Sequence, residues 1–164
     1  MIIGKLSEAI PWLRTKDSLS IPNDLEVEGT ELHFNEQNEL DYLLFHVIER
    51  EGKQEYQGYL AVRLLQLRYI SLEARRDAGL LQKMRTVLRG LYGAQVNLVY
   101  LTAGIFRNPK IGIVQCYGVA AFSAQKEEAI QRSFRDLSAL RAGLVGAYRQ
   151  IRLESLSTEV AQWL

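Results

Sequence analysis

The amino-acid sequence predicts an α+β fold, a mainly antiparallel sheet with helices packed on one face. Two apolar runs, QVNLVYLTAGIF and IGIVQCYGVAAFS, are joined by RNPK at residues 107–110, a pattern typical of a buried β-hairpin. A long amphipathic helix, Gln125 to about Tyr148, is predicted directly after this hairpin. Strand-like segments also precede the hairpin, so strands and helices are expected in one domain.

Three strands are predicted in the first half of the chain. Leu25–Phe34 has alternating apolar residues, and the alternation changes around Gly29, which predicts a strand with a bulge at the glycine. The segment NEQNE predicts a turn, Leu40–Arg50 a second strand, and Tyr56–Val62 a returning partner. The next stretch, YLAVRLLQLRYISLEA, fits a long strand whose inward face switches, or a helix followed by a strand. Its Tyr, Val and Ile content favours the strand.

The first helix is predicted over Ala78–Tyr92, and Gly93 stands where a left-handed turn often ends a helix. Ser123 is the expected N-cap of the second helix, whose predicted buried stripe is Ile130, Phe134, Leu137, Leu140, Leu144 and Tyr148. The small residues around Gly143 and Gly146 predict close packing there. A last strand is expected at Ile151–Leu156, and a further helix begins at Ser157, which is its predicted cap.

From Tyr59 onward the predicted order is strand, helix, strand, strand, helix, strand, the order of a ferredoxin-like split βαβ sandwich. We therefore expect a single α+β domain over residues 1–164. The sequence stops at AQWL inside an apparently amphipathic helix, which predicts that this domain is the N-terminal part of a longer protein. Within it, residues 1–57 would supply acidic N-terminal strands, 58–156 the ferredoxin-like core, and 157–164 the start of a further helix.

Composition excludes several classes of protein. The one cysteine, Cys116, rules out a disulfide within the chain, and no apolar run approaches the roughly 20 residues of a membrane span. No phosphate loop or dinucleotide fingerprint occurs, so no cofactor and no catalytic residue are predicted. The N-terminus has no basic region before its apolar residues, which makes a cytoplasmic location the expectation.

Charge is divided unevenly along the chain although its net value is only +1. Residues 1–57 hold five basic and twelve acidic residues, whereas residues 58–164 hold fifteen basic and seven acidic ones. Two interpretations remain open. The two regions attract each other within the fold, or an acidic surface docks on a basic one in a neighbouring subunit or another domain.

Few side chains are candidates for chemistry. The histidines, His33 and His46, lie on predicted strands as neighbours across the hairpin, and packed or surface roles are favoured over metal binding. Cys116 lies in an apolar run and is expected to be a small hydrophobic residue. The carboxylates of the first half are expected to form a solvated acidic rim. They include Glu26, Glu28, Glu31, Glu36 and Glu39.

A basic group around the first helix is the best candidate site. Arg85 and Arg89 lie one turn apart, so they share a face of that helix, while Lys83 lies to the side. Three roles are open for such a group. It contacts phosphates through its charge, it pairs with the acidic half of the chain, or it is a solvated face of the helix. The predicted binding residues for a partner or nucleic acid are Arg75, Arg76, Lys83, Arg85 and Arg89; no metal ligand is predicted.

The hairpin and the helix after it, residues 95–156, resemble the region that precedes the motor in bacterial HerA/FtsK-like and conjugation-type ATPases. The segments YLTAG and IGIVQCYG, followed by a helix rich in Ala, Leu and Arg, carry this resemblance. The resemblance implies a non-catalytic N-terminal domain that assembles or couples a ring-forming translocase. It also implies self-association or contact with a motor domain downstream. The alternatives are a nucleic-acid-binding module and a small ferredoxin-like enzyme.

Overall fold

The computed structural model describes residues 25–51, 54–70, 79–105, 112–148 and 150–162. The described elements follow one another along the chain as six strands and three helices. They are β1 (Leu25–Phe34), β2 (Glu39–Glu51), β3 (Gln54–Ile70), α1 (Leu80–Gly93), β4 (Asn97–Ile105), β5 (Gly112–Ser123), α2 (Lys126–Ala147), β6 (Ile151–Ser157) and α3 (Thr158–Ala161). The predicted RNPK turn lies outside the described residues.

The strands form one curled antiparallel sheet in the order β1-β2-β6-β3-β5-β4, which confirms the predicted α+β class. β2 and β3 pair directly from Leu43↔Val62 to Glu51↔Gln54. Beyond that point β6 lies between them, because it pairs with β2 at Leu40↔Leu156 and with β3 from Leu65↔Ser155 onward. A strand from the end of the chain is therefore held between two consecutive early strands.

The change of alternation in β1 is a β-bulge, as predicted. The pairing with β2 shifts between Val27 and Gly29, so Glu28 is the extra residue. A one-residue shift moves all following side chains to the opposite face. Glu31 and His33 consequently face the helices.

β3 is a single continuous strand of 17 residues, which confirms the strand interpretation over the helical one. Its pairing with β6 shifts between Leu67 and Tyr69, so the predicted change of face is also present. The residues that favour strand here are supported by partners on both edges, since β5 pairs with β3 from Tyr59↔Ser123 to Gln66↔Cys116. Pairing on both sides settles what periodicity left open.

Apolar side chains form clusters on the two faces of the sheet. On the helix-covered face, Leu65 and Val119 of the sheet pack with Val87 of α1 and Leu140 of α2. The opposite face, on which the sheet curls, holds Leu60, Val114 and the short helix α3 through Val160. Both faces therefore contribute to the core.

Two glycines permit close approach of neighbouring elements. A Cβ on Gly143 would lie 3.2 Å from Cγ1 of Val87, so the small-residue stretch of α2 packs on α1, whereas one on Gly146 would meet nothing within 4 Å. At Gly118 of β5 a Cβ would lie 2.3 Å from the carbonyl oxygen of Arg63. Only a residue without a side chain fits at that position, where β5 pairs with β3.

The ends of the helices differ in part from the predicted ones. α1 includes Gly93, and the left-handed residue is Gln95, with φ of 56°. The amide of Val96 donates to the Leu91 carbonyl at 3.0 Å, which is the Schellman arrangement with Gln95 in the place usually taken by glycine. The predicted Ser157 cap of α3 is confirmed, since its hydroxyl accepts from the Val160 amide at 3.4 Å.

The predicted beginning and buried stripe of α2 need correction. Gln125 is the N-cap residue, while the Ser123 hydroxyl accepts from the Gln125 amide at 3.1 Å. Phe134 is 62% exposed, and the buried residues are Ala129, Ser133, Asp136, Leu140 and Leu144. Of the predicted stripe, Leu140, Leu144 and Tyr148 are buried and Ile130 and Leu137 are partly buried, so Phe134 alone departs from it. The buried position next to it belongs to Ser133, which bonds with Arg63 of β3.

Candidate interaction surfaces

The predicted basic group is only partly within the described residues. Arg75 and Arg76 lie outside them, whereas Lys83, Arg85 and Arg89 lie on α1 with exposed side chains. α1 contains these three basic residues and no acidic one. It therefore forms a positively charged element at the surface.

Apolar side chains accompany these arginines. Leu88 is 44% exposed and Tyr92 is 70% exposed, and helical spacing places both on the outward half of α1 near Arg85 and Arg89. We call these four residues the basic helix surface. A large exposed aromatic residue beside arginines has the composition found at the centre of protein interfaces.

Arg68, a further basic residue that precedes α1, has a different role from the arginines of that helix. Its Nε donates to Oε2 of Glu154 at 3.0 Å, so it joins β3 to β6. This hydrogen bond and that of Arg152 lower the pKa of the Glu154 carboxyl. Arg68 is therefore paired within the sheet and is not part of the basic helix surface.

Acidic side chains lie at the other end of the same sheet. Glu26 and Glu28 are exposed on the edge strand β1, and Glu36 is exposed in the turn that follows. We call these three residues the acidic edge. α1, in contrast, packs through Val87 and Leu91 with Val96 and Leu98 at the β4 end. The two charged surfaces are thus at opposite ends of one sheet.

Glu31 is predicted to belong to a solvated acidic rim, but in the structure its carboxylate has three basic partners. Its Oε1 lies 2.7 Å from Nε2 of His46, and its Oε2 lies 2.9 Å from Nε2 of His33. The Nζ of Lys126, in the first turn of α2, donates to Oε2 at 3.0 Å. Three hydrogen bonds to the charged form lower the pKa of Glu31 to about 2.

Tyrosine rings hold both histidines of this Glu31 cluster. His33 stacks on Tyr42 with 4.3 Å between ring centroids, and His46 meets the edge of Tyr59 at 5.2 Å. The prediction that the histidines are neighbours is correct in an indirect sense, since Glu31 lies between them. The cluster ties β1 and β2 to the beginning of α2.

A buried arginine network adjoins this cluster. Arg63 is 5% exposed, and its Nε donates to the Ser133 hydroxyl at 3.1 Å while Nη1 pairs with the Asp41 carboxylate. Its guanidinium also lies 5.0 Å from the ring centroid of Tyr42 and 5.4 Å from that of Phe134. A buried charge needs such partners, and here they come from β2 and α2.

Asp136, one helical turn after Ser133, is less well supported. It is 5% exposed, and the charged partner within ion-pair distance among the described residues is Arg135 of the same helix, at 3.6 Å. Burial raises the pKa of its carboxyl, while Arg135 and Arg132 act in the opposite direction. The site holds a carboxylate at an energetic cost.

The remaining candidates for chemistry have a packing role. Cys116 is fully buried, and burial raises the pKa of its thiol to about 11, so the reactive thiolate is scarce at neutral pH. Across the ranges that the structure covers, no group of three or more His, Cys, Asp or Glu residues is arranged to hold a metal ion.

Part of the Glu31 cluster could have been predicted from the sequence. The shift in alternation around Gly29 places Glu31 and His33 on the helix-covered face, which removes Glu31 from a purely solvated rim. Nothing comparable marked Lys126, which is separated from Glu31 by 95 positions. Tertiary packing alone brings it there.

The chain matches no protein-family model, and no curated protein or solved structure shows significant similarity to it. Among the described helices, none has the length and apolar character needed to span a membrane. The surfaces described above therefore bear the functional conclusion.

Proposed function

We propose that this chain is a non-catalytic assembly or coupling domain of a larger, ring-forming translocase ATPase. The main support for this proposal is that surfaces of opposite charge lie at opposite ends of one sheet. The acidic edge lies on β1 and the following turn, and the basic helix surface lies on α1 beside β4. Copies of such a domain attract each other head to tail.

The symmetry of that contact supports a ring. A contact between two different surfaces is heterologous, and repeated heterologous contacts close into a ring when the rotation between copies permits it. An isologous dimer built on either charged surface alone would instead place like charges together, which is unfavourable. The charge arrangement therefore favours the repeated contact that a ring needs.

The basic helix surface also has the side chains for a stable contact. Leu88 and Tyr92 supply apolar area, and Arg85 and Arg89 supply charge at its margin. Tyrosine and arginine are the residues that most often carry binding energy in interfaces. The charged pairs would set orientation and the rate of association, whereas Tyr92 would contribute to affinity.

We propose a ferredoxin-like core for residues 58–156, and the strand order supports this part of the proposal. Strands β6, β3, β5 and β4 are neighbours in that order, and α1 and α2 cover the same face. Such a domain leaves the outer surfaces of both helices available for partners.

Sedimentation velocity of the full chain at several salt concentrations tests the proposal. We expect association to weaken as salt rises, because screening reduces the Debye length to about 8 Å at physiological ionic strength. The double variant Arg85→Glu with Arg89→Glu should lose association, and adding Glu28→Arg should restore part of it. Arg141→Glu, which changes an exposed arginine on α2, is the matched control and should behave as wild type.

Association that ignores both salt and the α1 charges would contradict the head-to-tail contact. So would loss of association in the Arg141→Glu control to the same extent as in the double variant. Circular dichroism spectra of each variant confirm that the fold is retained.

Nucleic-acid binding is the second candidate, favoured by one observation. Tyr92 is 70% exposed close to two arginines, and single-stranded nucleic acids bind to basic surfaces on which bases stack against aromatic rings. Fluorescence anisotropy with random single-stranded DNA at physiological salt distinguishes the two functions. Micromolar binding that is lost in the Arg85→Glu, Arg89→Glu variant would favour this candidate.

A further inference from the structure

The strand β4 forms an edge of the sheet. Across the described parts of the chain, its ladder is with β5 alone, from Asn97↔Ala120 to Ile105↔Gly112. In an antiparallel ladder about half of the backbone N–H and C=O groups of an edge strand point away from its neighbour. These groups are a template for another strand.

This edge lacks the features that normally prevent pairing. The β4 sequence, NLVYLTAGI, contains no charged residue and no proline, and its ladder with β5 has no register shift. The other edge strand, β1, carries a bulge at Glu28 and exposed glutamates. Bulges and charges are the usual protection of sheet edges, so one edge is protected and the other is not.

The face of the sheet beside this edge is also exposed. Tyr100 is 59% exposed and lies over Tyr117, with 5.1 Å between the ring centroids, and Ile113 of β5 is 73% exposed. The neighbouring Thr102 and Gln115, which oppose each other in the ladder, are exposed as well. The predicted buried hairpin is thus buried only in part.

We propose that a second copy of this chain pairs with β4 in antiparallel orientation, with a two-fold axis at Leu101. The large residues Leu98, Val99 and Tyr100 precede that position, and the small residues Thr102, Ala103 and Gly104 follow it. About this axis Tyr100 faces Thr102 of the other copy, Val99 faces Ala103, and Leu98 faces Gly104. Each of these three large side chains therefore opposes a small one, and Leu101 opposes its own copy.

The self-complementarity of β4 is the reason for choosing a second copy as the occupant. A two-fold axis at a residue keeps side chains of the two copies on matching faces, because opposed residues in an antiparallel pair point the same way. Because β4 contains no charged residue, no like charges of the two strands oppose each other when identical strands meet. An extended segment of a different protein would match the backbone but would not account for the large-to-small order.

This contact is independent of the head-to-tail contact in the proposed function. It uses backbone hydrogen bonds and uncharged side chains, so it should persist at high salt, where ionic contacts between α1 and β1 are screened. Either contact can fail while the other holds.

Sedimentation equilibrium of the full chain in 0.5 M salt provides the test. We expect wild type to contain a two-chain species that the edge variant Thr102→Lys converts to single chains, because a lysine at an exposed edge position blocks pairing. Gln115→Lys is the matched control. It places the same charge on the same face one strand inward, and it should keep the two-chain species.

Hydrogen exchange measured on the wild-type protein distinguishes a dimer formed by strand pairing from any other dimer. This measurement needs no variant, so it is informative even when Thr102→Lys does not fold. Alternate amides of β4 should exchange more slowly as concentration rises, whereas those of the β1 edge should not. Single chains at all concentrations, a dimer without this alternate protection, or a dimer that survives Thr102→Lys would each overturn the proposal. Protection that appears only when an unrelated peptide is added would show a different occupant.

Discussion

Glu31 and His46 are 15 positions apart in the chain, yet Oε1 of Glu31 lies 2.7 Å from Nε2 of His46. The bulge at Glu28 makes this contact possible, because it turns Glu31 toward the face that His46 also occupies. Lys126 then reaches the same carboxylate from α2. A small irregularity in an edge strand thus links β1 and β2 with a helix near the end of the fold.

Glu31→Gln should remove an acid-sensitive part of the stability. The pKa of Glu31 is lowered from 4.5 to about 2 by its hydrogen bonds, so the folded state favours the charged form. Its contribution is present above pH 4.5 and is lost as the pH falls toward 2. Urea midpoints between pH 2 and 7 should show a smaller acid loss in Glu31→Gln than in wild type. Glu28→Gln, on the same strand, is the control, and equal acid losses in the two variants would contradict the assignment.

Asp136→Asn should stabilise the protein at neutral pH. Burial raises the pKa of the Asp136 carboxyl, so its charged form costs stability above that pKa. The advantage of the amide should shrink as the pH falls through the raised pKa, because the wild-type carboxyl then becomes neutral. Thermal unfolding at several pH values measures the difference. A variant that is less stable than wild type at neutral pH would reveal a stabilising role for the charge.

Ser133→Ala should destabilise the fold through Arg63. The Ser133 hydroxyl accepts from Nε of Arg63, and a buried donor left without a partner costs about 1–3 kcal/mol. Ser138→Ala is a close control, because both hydroxyls donate to a carbonyl of α2, Ser133 to Ile130 at 2.8 Å and Ser138 to Phe134 at 2.9 Å, but Ser138 is exposed. Its effect should stay within about 0.5 kcal/mol. Chemical denaturation compares the two variants, and equal effects would mean that Arg63 does not depend on Ser133.

Gly143→Leu should destabilise the contact between α1 and α2. The new side chain meets Val87 where a Cβ alone would lie 3.2 Å from Cγ1, and overpacking typically costs about 1–3 kcal/mol. Gly146→Leu places the same side chain where a Cβ meets nothing, and better helix propensity should make it neutral or stabilising by up to about 1 kcal/mol. Denaturation midpoints that move equally for both variants would contradict the packing of Gly143 on α1.

Local patterns in the sequence determined most of the secondary structure. Alternation identified β1 and its bulge, the apolar runs identified β4 and β5, and Ser157 marked the beginning of α3. These features depend on residues close together in the chain, so their signals are local. The same holds for the basic face of α1, since Arg85 and Arg89 are one helical turn apart.

Tertiary structure alone decided which faces and side chains meet. The placement of β6 between β2 and β3, the hydrogen bond of Ser133 on α2 with Arg63, and the approach of Lys126 to Glu31 join residues distant in the chain. Apolar periodicity pointed to Phe134 as buried, but it is exposed at the side of Arg63, and the neighbouring Ser133 is buried because it accepts a hydrogen bond from the guanidinium. The apolar pattern of the sequence indicates which face of a helix is buried on average. Which residue on that face pairs with a buried charge depends on the neighbouring strand, and therefore on the tertiary structure.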